Sequence, residues 1–458
     1  MGLKIGGRVE KVNGKELSYA EFAEKYMNRN QPVILTGLMD DWRSCRDWVT
    51  DAGKPNLPFL STHFGTSKVQ VAECGTGELN DERRIEMTVS EFISSAQFRK
   101  STDCDKSLLY LKDWHFVKEF PEYIAYKTPL HFCDDWLNLY LDKYRMHTDP
   151  DIYNQGNEIS CSDYRFVYIG PKGTWTPLHA DVFRSYSWSA NVCGRKQWYL
   201  LHPDQHHLIH DRNMRVCVCN IFSDANEAKF PGFKKAVWWE CTQEQNEIIF
   251  VPSGWYHQVQ NLEDTISINH NWFNAYNLPW VWDLLLRDYH EAQEYIEDLK
   301  GCDEFEELCQ RNLAANTGMN IIDFFVFMVR LAFSNMVQLY NLTTGAMARH
   351  FVFNLECIRS IALKMKSIDM DVKHGNLIDD RMEDFEDHLL EELCASLGKT
   401  YGSIHGHSHS QVDDHTYKFL FKNLDSEFHI LCCRVRDCED LVALINDTLI
   451  KLGGSFVA

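Results

Sequence analysis

The spacing of apolar residues changes character twice along the chain. Over residues 1–150 helical and strand periods are mixed. Tyr19-Ala20-Glu21-Phe22-Ala23-Glu24-Lys25-Tyr26 reads as an amphipathic helix, and Gln31-Pro32-Val33-Ile34-Leu35-Thr36-Gly37 as a buried strand closed by a glycine turn. Lys68 to Glu73 alternates like a strand, Met87 to Phe92 offers a helix start, and Leu108-Leu109-Tyr110-Leu111 a further short strand. From Tyr164 to Phe273 the signal becomes short β segments separated by turn residues: Phe166–Pro171, Lys196–Leu200, Glu247–Pro252 and Thr265–Asn269. Strands so short and so spaced predict a barrel or sandwich. After Asn274 the pattern turns helical, with apolar residues three and four apart over 278–299, 320–339, 351–365 and 377–397.

The expected organisation is α+β. An N-terminal mixed region (1–150) packs on a β core (151–275), and a helical region (276–458) follows a boundary at Asn274-Ala275-Tyr276-Asn277. No repeat at solenoid periods is present. A patch rich in histidine, His405-Gly406-His407-Ser408-His409 with His415 nearby, interrupts the last region; a solvated loop is the plainer reading and metal capture the sharper one.

Composition narrows the function classes. Of 458 residues 45% are hydrophobic and 13% aromatic, which is a folding rather than a disordered composition. Lys plus Arg number 46 against 66 Asp plus Glu, a net charge of −20. That balance argues against binding a nucleic-acid backbone and leaves room for a basic protein partner. Sixteen cysteines without an apolar leader in Met1–Arg8 predict reduced thiols in the cytosol or nucleus. Gly2 suggests acylation, but position 6 is Gly where that signal needs Ser or Thr. The apolar window Ile321–Phe333 is short and broken by Asp323 and Arg330, so no membrane span is expected.

The chemistry concentrates in Gly173-Thr174-Trp175-Thr176-Pro177-Leu178-His179-Ala180-Asp181. Residues two apart in a strand face one side, so His179 and Asp181 can meet one ion. His257, after the glycine turn in Val251-Pro252-Ser253-Gly254-Trp255-Tyr256-His257, is the candidate third ligand. Two histidines and one carboxylate occupy a face of an octahedral Fe(II) and leave three positions open. That vacancy suits 2-oxoglutarate, which takes two positions, and O2, which takes the third. A zinc hydrolase could use the same ligands but has no use for a buried cation. Such a cation is predicted: in Gly194-Arg195-Lys196-Gln197-Trp198-Tyr199-Leu200, alternation puts Lys196 on the face of Trp198 and Leu200. Burying it is costly unless an anion meets it. The distal carboxylate of 2-oxoglutarate answers that need, with Thr176 and Tyr110 as hydroxyl partners.

Each piece alone has a blander reading: a chance His-x-Asp, a satisfied core histidine at 257, a lysine reaching solvent from a strand end. Their joint order is what carries the assignment. In Thr265-Ile266-Ser267-Ile268-Asn269-His270-Asn271, alternation further places Thr265, Ser267, Asn269 and Asn271 on one face, with Asn269 expected to approach the cosubstrate.

At these residues the chain resembles the JmjC-domain 2-oxoglutarate oxygenases. Pro32–Gly37 followed by Asp41-Trp42 is similar to the N-terminal strand of the family's hydroxylase branch, and the likeness covers roughly residues 15 to 275. It implies a double-stranded β-helix, a cupin-like jelly roll with the metal at the barrel mouth. It also implies His179, Asp181 and His257 as iron ligands, Lys196 as the 2-oxoglutarate lysine, and Thr176 and Tyr110 as its hydroxyl partners. Ser189 stands where many relatives carry an Asn beside the cosubstrate. Thr174–Trp198 and Val251–Asn271 are most similar to the branch regarded as lysyl hydroxylases of a eukaryotic translation release factor. That implies a protein substrate, succinate and CO2 as coproducts, and a cytoplasmic or nuclear setting. A histone or arginine demethylase shares the same iron chemistry and stays open, as does a non-catalytic scaffold. The C-terminal helices resemble dimerising extensions of related hydroxylases, which implies a homodimer.

Overall fold

The computed structural model describes residues 2–74, 83–95, 108–146, 163–223, 228–341, 345–367, 388–406 and 435–453. They group into two compact units, Met1–Phe132 with Tyr164–Asn271, and Cys133–Asp163 with Trp272–Ala458. Against the divisions expected near 150 and 275, the N-terminal region shares a unit with the β core. The reason is pairing: its strands enter the core's own sheets.

In the first unit the strands are β1 (Lys4–Arg8), β2 (Glu10–Asn13), β3 (Val33–Thr36), β4 (Lys68–Cys74), β5 (Arg84–Thr88), β6 (Leu108–Trp114) and β7 (Arg165–Gly170). They continue with β8 (Trp175–His179), β9 (Tyr186–Cys193), β10 (Lys196–Leu201), β11 (Val237–Gln243), β12 (Glu247–Val251), β13 (Tyr256–Asn261) and β14 (Thr265–Trp272). Two sheets result, ordered β1-β11-β10-β13-β8 and β2-β3-β12-β9-β14-β7-β6-β4-β5. The predicted strand at 31–37 is β3, which pairs with β2 and β12. The sheets face each other: Ile34, Ile249 and Val251 of the larger pack with Trp198, Leu200, Cys241 and Val259 of the smaller in one buried cluster. Burial of each such side chain contributes about 1.5–3 kcal/mol. This is the cupin-like jelly roll that the resemblance implies.

Central strand β9 is buried along its whole length. Trp188 on it packs against His270 of β14 and against Trp42, Tyr126 and Phe132, so the N-terminal region covers this face of the sheet. The predicted helix at 19–26 begins with a capping box, Ser18 accepting from the Glu21 amide and Glu21 accepting from the Ser18 amide. It passes into a π turn over Ala23–Met27, a change that apolar spacing does not announce.

The second unit holds helices Trp136–Leu141, Leu278–Tyr295, Phe305–Thr317, Ile321–Asn341, Gly345–Lys366, His388–Ile404 and Cys438–Thr448. Ile321–Tyr340 is long and apolar enough to cross a membrane, yet 94% of its apolar window is buried inside the protein. Its Arg330 donates to the Tyr140 hydroxyl at 2.7 Å and lies 3.9 Å from the Tyr144 ring centroid. Tyr401 donates to Asp134 Oδ1 at 2.6 Å and accepts from Trp136 Nε1 and Asn354 Nδ2. Of the histidine-rich patch, His405 ends a helix with Nε2 3.2 Å from His350 Nδ1; His407, His409 and His415 lie outside the described residues, as does 377–387 of the last predicted helix.

Candidate active site

His179 closes β8 and His257 sits directly across from it on β13. The turn that delivers His257 is Pro252-Ser253-Gly254-Trp255, with Gly254 at φ +74°, a conformation glycine adopts without Cβ strain. Asp181 departs from the expected strand alternation, because β8 ends at His179. It instead heads a 3-10 turn in which Phe183 and Arg184 hold φ of 55° and 48°. Two successive left-handed residues without glycine are strained. Burial of Phe183 against Tyr164 holds them there.

The ligand atoms of His179, Asp181 and His257 lie within 4.8 Å of one another. Each imidazole has its tautomer fixed by a backbone carbonyl. Nδ1–H of His179 donates to Pro177 O at 2.8 Å, and Nδ1–H of His257 donates to Trp255 O at 3.1 Å. Both Nε2 lone pairs therefore remain for a metal. Burial, then the neighbouring His257, pulls the His179 pKa down to about 4, so it is neutral near pH 7. The Ser187 hydroxyl donates to Asp181 Oδ2 at 2.7 Å and fixes the carboxylate. Two imidazoles that present Nε2, with an oriented carboxylate, are a donor set that suits Fe(II).

Behind these ligands a cavity of about 550 Å³ reaches Lys196. Alternation in β10 buries Lys196, Trp198 and Leu200, as expected. The Lys196 ammonium donates to Ser267 Oγ at 2.8 Å and to Tyr110 Oη at 3.4 Å, both neutral. Burial, then the charge of Lys112, lowers its pKa from 10.5 to about 7. The buried hydroxyl of Ser189 has no hydrogen-bond partner among the described residues. A buried cation met by neutral groups, beside an orphaned hydroxyl, fits an anionic cosubstrate with oxygen acceptors.

A pH dependence follows. Between about pH 7 and the ordinary lysine range the unfolded chain binds the Lys196 proton and the ligand-free folded protein does not, so stability rises with pH across that window. An anion bound against Lys196 restores the charge, so binding takes up a proton above about pH 7. Calorimetry in buffers of different ionisation enthalpy should show that uptake and a 2-oxoglutarate affinity that weakens as pH rises. Uptake persisting in Lys196→Met would assign it elsewhere.

The other candidates also line this cavity: Thr176 on β8, Tyr110 on β6, Ser189 on β9 and Asn269 on β14. Asn269 is half-buried and donates to Ser267 Oγ at 3.4 Å. Sequence reasoning overlooked Ser187, Ser267 as the Lys196 partner, and the aromatic wall of Tyr164, Phe166 and Tyr168. It also overlooked Lys112 and Asp113. For Lys112 a signal existed: Tyr110, Lys112 and Trp114 recur at period two, the same lysine-on-an-aromatic-face pattern that exposed Lys196.

Comparison with known proteins places this geometry in context. Residues 19–277 match the family model described as a cupin-like domain. The chain is 56% identical to the Arabidopsis thaliana protein named arginine-specific demethylase JMJ20, over 88% of this chain and 89% of that one. It is 40% identical to a Danio rerio protein named 2-oxoglutarate and iron-dependent oxygenase JMJD4, over 71% of this chain and 75% of the relative. The Homo sapiens protein of the same name is 36% identical over 69% and 73%.

Proposed function

Because the chain belongs to the cupin-like JmjC family of 2-oxoglutarate- and iron-dependent oxygenases, we propose that it hydroxylates a lysine side chain of a translation release factor. The observation that carries the oxygenase reading is the juxtaposition of His179, Asp181 and His257 with a buried lysine in one cavity. Bound iron, with 2-oxoglutarate and O2, supplies the oxidising chemistry: one oxygen atom enters a substrate C–H bond and the other enters succinate, with CO2 released. The protein's own residues hold and orient. His179 and His257 present Nε2, Ser187 steadies Asp181, and Lys196 with Tyr110 and Ser267 receives the distal carboxylate.

A basic side chain as substrate is supported by the wall of Tyr164, Phe166 and Tyr168, whose ring faces attract a cation by roughly 0.5–2 kcal/mol each. The net charge of −20 favours a basic partner segment, an attraction that weakens as salt rises. Arginine demethylation is a second reading, favoured by the name of the Arabidopsis relative. There the same insertion falls on an N-methyl carbon, and the hemiaminal formed releases formaldehyde.

The two part at the product. Release factor and methylated histone peptides incubated with the Fe(II)-loaded protein and 2-oxoglutarate are to be read by mass spectrometry. We expect the mass of one added oxygen on an unmethylated release-factor lysine. Loss of a methylene's mass from methylarginine, with release factor unmodified, would replace this reading by the demethylase.

A further inference from the structure

Of the described residues lining the cavity, two are carboxylates, Asp181 and Asp113, and Asp181 belongs to the metal set. Asp113 reaches the cavity through an irregularity in β6. Leu111 pairs with Ile169 and Trp114 with Val167, so three steps along β6 face two along β7. In an unbroken strand Asp113 would share the face of Leu111, opposite to that of Tyr110 and Lys112. The extra residue, with Asp113 at φ +54°, brings it instead to the cavity wall beside both. Asp is among the few residues besides glycine found in this left-handed conformation. The Tyr168 hydroxyl donates to Asp113 Oδ1 at 2.6 Å and fixes the carboxylate. Burial favours the protonated acid, but Arg84, the Tyr168 hydroxyl and Lys112 more than offset it, so Asp113 is an anion at neutral pH.

The other oxygen already holds a cation. Arg84 Nη1 donates to Asp113 Oδ2 at 2.6 Å, and strand register explains the reach. Arg84 on β5 pairs with Ala72 on β4, and Ala72 with Tyr110 on β6, so all three share the cavity face. Ala72 carries only a methyl, which lets the guanidinium cross β4. The Arg84 side chain is 44% exposed and that of Asp113 27%. An ion pair so exposed is weakly held, and a second cation arriving through the cavity exchanges with Arg84 charge for charge. Beside this carboxylate stand the stacked rings of Phe166 and Tyr168, 6.4 Å apart, which suit the alkyl stem of a long basic side chain. Lys112 and Lys196, which also line the wall, repel a cation from the remaining surface. Resting on the oxygenase reading with a basic substrate, we propose that Asp113 receives the positive end of the substrate side chain, an ammonium or a guanidinium, and that Arg84 holds that place until the substrate displaces it.

The test compares substrate KM in Asp113→Asn, Asp113→Glu and Arg84→Gln with wild type, on release factor and on methylated-arginine histone peptides, with succinate followed in parallel. Asn also tolerates the left-handed turn, so Asp113→Asn removes the charge and keeps the backbone. It should raise the KM for the substrate that wild type modifies by about tenfold or more, and Asp113→Glu should recover part of the loss. Arg84→Gln should move the other way, lowering that KM about threefold, because it empties the place the substrate takes. On the protein loaded with Mn(II) and 2-oxoglutarate, a peptide carrying norleucine for the target lysine, or citrulline for the target arginine, should bind wild type and Asp113→Asn equally. An unchanged KM in Asp113→Asn would overturn the proposal and leave the oxygenase reading standing. A KM raised in both Asp113→Asn and Arg84→Gln would also overturn it, by making the pair a strut of the cavity wall. Wild type that forms succinate but modifies neither substrate would remove the basic-substrate reading, and the proposal with it.

Discussion

Asp181→Ala is expected to abolish turnover, with succinate formation falling at least about a hundredfold, because the carboxylate is the only anionic member of the described His-Asp-His set. The two imidazoles keep their tautomers through Pro177 O and Trp255 O, so the variant retains half a site that holds metal weakly and without a fixed face. Loss of the carboxylate also strips the Ser187 hydroxyl of its acceptor, a cost of about 1–3 kcal/mol if water does not replace it. The global fold should persist, since the buried cluster between the sheets contains none of these residues. Ser187→Ala should be milder, roughly tenfold in Mn(II) affinity, because it loosens the carboxylate without removing it. Succinate assays and Mn(II) titration read both effects. Full turnover by Asp181→Ala would remove Asp181 from the metal site.

The residues that carry chemistry were legible where a short segment fixes their placement. His179 and Asp181 are two apart, and the glycine turn before His257 announces a strand reversal. Lys196 was visible because a lysine on the face of Trp198 and Leu200 is costly unless it has a partner. Periodicity gave the β core as a barrel or sandwich, with β3, β4, β7, β10, β12 and β14 near their expected bounds, while the jelly roll itself came with the family resemblance. What stayed hidden depends on pairing between distant segments. In β6, Leu111 pairs with Ile169 and Trp114 with Val167, an irregularity that exists only against a strand more than fifty residues away, so the aim of Asp113 could not be read locally. Strand alternation gave the right partner for His179 for an incomplete reason, since Asp181 lies past the strand in a turn that Phe183 fixes. Likewise Trp136–Leu141 falls within the N-terminal region expected to run to about 150. Its membership of the helical unit comes from contacts such as Trp136 with Tyr401, which sequence spacing does not encode.

Lys196→Met should separate cosubstrate binding from stability. A charge-assisted contact to a buried ammonium is worth on the order of 1.5–3 kcal/mol, so the KM for 2-oxoglutarate should rise by roughly ten- to a hundredfold or more. In the ligand-free protein the same ammonium is desolvated against the neutral oxygens of Ser267 and Tyr110, and its pKa of about 7 records how poorly that environment holds the charge. An apolar side chain of similar length removes that penalty, which makes the ligand-free variant as stable as wild type or more so. The gain should be largest below about pH 7, where wild type must keep the lysine charged, and should shrink as pH rises through that value. Stability and function therefore move in opposite directions at one position, as expected where a strained charge is kept for a ligand. Thr176→Val, which removes one hydroxyl from the cavity wall, should raise KM less. Denaturant unfolding at two pH values and 2-oxoglutarate kinetics measure the pair of effects. An unchanged KM in Lys196→Met would mean that another cation receives the distal carboxylate, and Lys112 would be the first to examine.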